Sequence, residues 1–148
     1  MEKACCGFGH RFVWENIAPA LKKEIEQAVR EGCRIFYTGA QGEFDKLFTE
    51  AVRAVKAENR HLPLRLICVK PYYTKALQEN REYYETKFDE VLIPSALDDM
   101  HYKAAIPARN KWMIDKSDIV ITYTVREYGG AYQALCYARK HGKEIWQI

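Results

Sequence analysis

Apolar positions along the chain follow two periods in turn. Unbroken apolar runs, KACCGF at 3–8, CRIFYT at 33–38, LRLICV at 64–69 and the DIVIT stretch at 118–122, alternate with longer segments whose apolar residues recur every three or four positions. An unbroken run suits a strand covered on both faces of a parallel sheet, and the longer period is that of a helix with one buried stripe. Ile17, Leu21, Ile25 and Val29 thus predict a helix capped by Asn16 and stopped at Gly32. Phe44, Leu47, Phe48, Ala51, Val52 and Val55 predict a second. Tyr72 to Glu85 reads as a third helical segment, followed by a brief fourth strand in DEVLIP. Pro107 predicts the first turn of the helix that carries Arg109, Asn110, Trp112 and Met113, because its fixed backbone angle suits that position. A last helix in GAYQALCYARKHG closes at Gly142, and KEIWQI is a final strand.

Strands alternating with helices from end to end predict one α/β domain over residues 1–148, with a mainly parallel sheet of about six strands. Right-handed crossovers permit the strand order 4-3-2-1-5-6, which places strands two, one and five side by side and gathers the loops that follow them. Ligands of open parallel sheets sit beyond the carboxyl ends of the strands, where the strand order reverses. The residues expected there are Gly9, His10 and Arg11 after the first strand, Thr38, Gly39 and Gly42 after the second, and Gly129 and Gly130 after the fifth. Two of these loops are glycine-containing turns that lead into helices, so backbone N–H groups and a positive helix end can face an anion such as phosphate. Ordinary tight turns use the same glycines. The helix before strand five runs against the strands, so its start reaches the same edge and brings Arg109 and Asn110. Arg11 and Arg109 then supply forked donors for a phosphate or carboxylate, with His10 as a hydrogen-bond partner. The competing expectation is that both arginines pair with surface carboxylates. Asp45 reads first as an acid favoured by the helix dipole and second as a ligand for a ribose hydroxyl, while Asp115 and Asp118 read as caps on the opposite edge.

Composition narrows the partners. Twenty-three Lys and Arg against 20 Asp and Glu give a formal charge of +3 with no block of like charges, which argues against nucleic acid. No apolar run approaches the length of a membrane span, and the N-terminus has no apolar region of signal-peptide length, so the expectation is a cytoplasmic chain without membrane contact. The 5 cysteines follow neither a disulfide framework nor a C-x-x-C metal pattern. Cys5 and Cys6 point to opposite faces of a strand and do not readily ligate one ion together, and Cys33, Cys68 and Cys136 read as small buried hydrophobes. Free thiols, no metal and no cofactor are expected.

Four motifs, C-C-x-x-G-H-R on strand one, a glycine-bearing loop with Asp45 on the following helix, R-N-x-x-M-x-D-x-S-D before strand five, and the Gly129-Gly130 turn, together resemble the SLOG superfamily and within it the YpsA-like branch. The resemblance spans nearly the whole chain. It implies a Rossmann-like three-layer sandwich that holds a nucleotide or nucleotide-derived small molecule, and the expectation for this chain is binding or sensing of such a ligand, with a homodimer left open. Related members include the LOG phosphoribohydrolases, which cleave nucleoside 5'-monophosphates, and the DprA proteins, which load single-stranded DNA. Departures from the pattern matter. The branch has G-G-A-x-G-x-D where this chain has Gly39, Ala40, Gln41, Gly42, Glu43, Phe44 and Asp45, and Gly-Gly-Thr where Ala131 follows Gly129 and Gly130. The catalytic Glu of the LOG motif falls on Ala134, so no catalytic residue is assigned. A hydrolase would need Glu43 or Glu127 as a substitute, and DNA binding would use exposed tyrosines as stacking platforms.

Overall fold

The first apolar run forms the central strand of the sheet. In a computed structural model that describes residues 2–148, β1 (Lys3–Gly9) pairs in parallel with β2 (Cys33–Thr38) on one side and β5 (Ile119–Tyr123) on the other. β3 (Arg65–Val69) and β4 (Glu90–Leu92) extend the β2 side, and β6 (Glu144–Gln147) extends the β5 side, all in parallel. The order is β4-β3-β2-β1-β5-β6, as the crossover argument predicts.

Alternation along β1 builds the two cores. Cys5 faces α1 (Ala18–Arg30) and α2 (Glu43–Glu58), whereas Cys6 and Phe8 face α5 (Tyr102–Asp115) and α6 (Gly130–Lys140). The result is a three-layer sandwich. Gly7 and Gly9 allow α2 to lie close against β1, since a Cβ at either would stand 2.4 Å from the Phe48 ring or 2.5 Å from the Phe44 ring.

Several local expectations change. Asn16 does not cap α1: the helix begins at Ala18 behind Ile17, with no side-chain cap, and Pro19 in its first turn supplies the start instead. Gly32, at φ +106°, does stop it. Tyr72 to Glu85 is split at Asn80 into α3 (Lys75–Glu79) and α4 (Arg81–Lys87), neither of which buries a residue. Pro107 lies inside α5 rather than in its first turn, because His101 caps the helix earlier, its Nδ1 accepting the Lys103 N–H at 3.2 Å. Proline inside the helix forgoes its hydrogen bond to the preceding turn and crowds the carbonyl four residues back. Cys5, Cys6, Cys33 and Cys68 are buried thiols, but Cys136 is exposed on α6. Asp118 is a clamp, not a helix cap, with Oδ2 accepting the Ala4 N–H at 2.9 Å. No described helix is long and apolar enough to cross a membrane.

Candidate functional site

β1 delivers His10 and Arg11 to the carboxyl edge. The His10 N–H donates to the Tyr123 carbonyl at 3.2 Å, and its ring Nε2 accepts the N–H groups of Val125 at 2.9 Å and Arg126 at 3.3 Å. Burial, and then the nearby Arg126 guanidinium, lowers the His10 pKa. The ring is neutral with its proton on Nδ1, since Nε2 is spent as an acceptor. His10 therefore fastens the β5–α6 loop to β1 and keeps one N–H donor.

The loop after β2 spends its own donors. The Thr38 hydroxyl accepts the Ala40 N–H at 3.2 Å, Asp45 Oδ2 accepts the Gln41 N–H at 2.9 Å, and the Arg11 carbonyl accepts the Glu43 N–H at 2.8 Å. Gly42 precedes α2 at φ +92°, and a Cβ there would lie 2.9 Å from the Arg11 Cα. A Cβ on Gly39 would lie 2.7 Å from the Arg109 Nη1. Thr38, Gly39 and Gly42 thus support the edge from beneath and do not line its cavity. Ala40 takes a left-handed backbone, φ +52°, where the family pattern has glycine. That conformation costs a non-glycine residue about 1–2 kcal/mol. Ala40→Gly is expected to raise stability by about 1 kcal/mol and the melting temperature by about 2–4 °C. A lower melting temperature in a thermal scan would show that the loop is not strained.

Arg109 is 3 % exposed. Its Nη1 donates to the Val69 carbonyl at 2.9 Å and the Gly39 carbonyl at 3.3 Å, its Nη2 to Gln41 Oε1 at 3.0 Å, and its Nε to Asn110 Oδ1 at 2.9 Å. The guanidinium ties α5 to the ends of β2 and β3. No carboxylate lies within 4 Å of Arg11, Arg109 or Arg126 among the described residues, so the expected surface ion pairs do not form.

The β5–α6 loop is open where the β2 loop is closed. Gly129, at φ +92°, precedes α6, and a Cβ on Gly129 or Gly130 would meet nothing within 4 Å. The first amides of a helix have no partner within it, and Gly129, Gly130 and Ala131 at the start of α6 line the cavity. Arg126 holds a buried Nε with no hydrogen-bond partner, and its guanidinium lies 5.5 Å from the Tyr128 ring. Arg11 is exposed beside it. These groups line one crevice of about 370 Å³ together with Gly9, His10, Gln41, Asp45, Arg109 and Asn110. Asp45 is the crevice's one carboxylate among the described residues. Burial pushes its pKa up to about 6, opposed by the Gln41 N–H, Arg109 and Lys70.

Of the expected site residues, Gly9, His10, Arg11, Arg109, Asn110, Gly129 and Gly130 come together on this wall. Arg126 and Gln41 were missed, because a side chain in an irregular loop carries no periodic signal. Position after a strand was the only available clue.

No family model matches the chain, and no curated protein does. Solved structures do. DNA processing protein A (DprA) from Streptococcus pneumoniae superposes with a TM-score of 0.69 at 19 % identity, over 99 % of this chain and 50 % of the other. DNA processing protein A from Helicobacter pylori, described for its single-stranded DNA binding mode, gives 0.67 at 16 % identity over 98 % and 64 %. The chain thus spans half to under two thirds of these proteins. The likeness corrects the argument against nucleic acid: a protein sharing this fold binds single-stranded DNA. A formal charge of +3 summed over the chain is the wrong measure, since binding depends on local charge, and Arg11 and Arg126 concentrate theirs at one edge. The chain thus shares the Rossmann-like α/β fold of these two structures.

Proposed function

We propose that the crevice binds a nucleotide through its phosphate. One observation carries this reading: Arg11, Arg126 and the open first turn of α6 converge on a single cavity with no carboxylate paired to either arginine among the described residues. Oriented amides behind two glycines and forked guanidinium donors are the groups that recognise phosphate oxygens. Arg11→Ala is expected to weaken nucleotide binding by about 1.5–3 kcal/mol, the range for a hydrogen bond to a charged group, with an unchanged melting temperature for the free protein. Gly130→Val should abolish binding by filling the approach to the amides. Calorimetry against a nucleoside monophosphate panel checks both, and full affinity in the two variants would end the reading.

A second reading, binding of a single strand, is favoured by exposed aromatics on the two loops that supply the crevice arginines. Phe12 and Trp14 follow Arg11 in the chain with rings 6.5 Å apart, Trp14 is 87 % exposed, and Tyr128, on the crevice wall, is exposed on the β5–α6 loop. Exposed aromatics interleaved with cations suit successive bases and phosphates. Oligonucleotide affinity that falls steeply with salt supports the strand, and mononucleotide binding alone supports the small ligand. The two acids that a hydrolase reading names, Glu43 and Glu127, do not line the cavity, whose one carboxylate among the described residues is Asp45, and Glu43 accepts the Val13 N–H at 3.4 Å.

A further inference from the structure

We infer that the groove between α5 and α6 receives the base of the nucleotide whose phosphate occupies the crevice, an inference that rests on the phosphate reading above. The groove has a volume of about 440 Å³, and Ile106, Asn110 and Gly130 belong to both its wall and the wall of the crevice. A ligand anchored at the α6 N-terminus therefore has one continuous way out across this face. The two halves differ in chemistry. The crevice is lined by arginines and amides, whereas Pro107, Tyr132 and Tyr137 bring apolar surface to the groove, one face of the Tyr137 ring being stacked on His141. Lys140 stands at its far end, about 15 Å from Gly130 along α6 by the rise of 1.5 Å per residue, and Lys111 Nζ lies 5.5 Å from the centre of the Tyr137 ring. A neutral apolar ligand gains nothing from these cations, while a planar heteroaromatic body joined to phosphate matches both halves.

Cys136 opens onto the groove and is the one exposed cysteine among the described residues, with Cys5, Cys6, Cys33 and Cys68 buried. It is a built-in reporter. In the intact chain, saturating adenosine 5'-monophosphate is expected to slow maleimide labelling of Cys136 at least tenfold. Ribose 5-phosphate, which has the phosphate and sugar without the base, should bind without slowing it. Cys136→Trp, a change at an exposed position, should lower adenosine monophosphate affinity about tenfold and leave ribose 5-phosphate affinity unchanged. A 5'-phosphorylated oligonucleotide run in parallel separates a free nucleotide from a unit of a strand: protection by both identifies the base as the shared element, and protection by one names the source. Nucleotide binding by calorimetry with undiminished labelling, or equal affinity in Cys136→Trp, overturns the groove and leaves the crevice standing. Absence of binding by either phosphate compound overturns both.

Discussion

Arg109→Ala is expected to cost about 3–5 kcal/mol of folding stability, since each buried acceptor left unsatisfied costs about 1–3 kcal/mol. The guanidinium is 3 % exposed and holds the carbonyls of Gly39 and Val69 and the side chains of Gln41 and Asn110, so truncation leaves four acceptors without their donor, two of them backbone carbonyls in buried hydrogen bonds. In a chain of this size the melting temperature should fall by about 6–20 °C. Arg109→Lys should recover only part of the loss, because an ammonium cannot reproduce the planar fork that spans these partners. The expectation from sequence was different: Arg109 and Arg11 were to act alike, as ligand donors. The structure separates them, with Arg11 exposed and Arg109 spent on backbone. A melting temperature within about 2 °C of the parent, with nucleotide binding lost, would return Arg109 to the ligand.

Asp45→Asn is expected to stabilise the protein at pH 7 by up to about 3 kcal/mol. The folded-state pKa of about 6 lies above the ordinary 3.8, and burial is the main cause. Between these values the folded protein keeps a proton that the unfolded chain has released, so stability falls as pH rises through the window, and the deficit is complete above it. Asparagine removes the buried charge and still offers an oxygen to the Gln41 N–H. Denaturant titrations should therefore show the variant ahead at pH 7 and nearly level with the parent at pH 4. His10 works in the opposite direction. Its lowered pKa contributes stability that is present above the unfolded value of 6.5 and lost on acidification, and this part persists in the variant. Equal stability at pH 7 would mean that the Asp45 carboxylate is better solvated than its burial implies. A carboxylate whose pKa is raised by burial on the wall of a cavity is a candidate functional group.

The sequence by itself determined the layers and the strand order. Apolar runs at 3–8, 33–38, 64–69 and 118–122 could be buried only in a two-faced sheet, the helical stripes supplied the covers, and the handedness of crossovers left the order 4-3-2-1-5-6. That order in turn brought the Gly9 to Arg11 and Gly129 to Gly130 segments to one edge. Local boundaries were less legible where capping used residues without a strong signal, as with His101 ahead of α5 and Ile17 ahead of α1. Tertiary structure alone decided which donors stay free. Nothing in GAQG distinguishes it from a phosphate loop until Thr38, Asp45 and Arg11 are seen to consume its amides and Arg109 to fill the space above Gly39. The Gly129-Gly130 turn meets no such neighbours. The physical reason is that a hydrogen bond belongs to both partners, and three of the four partners of Arg109 lie 40 to 70 residues away in the chain.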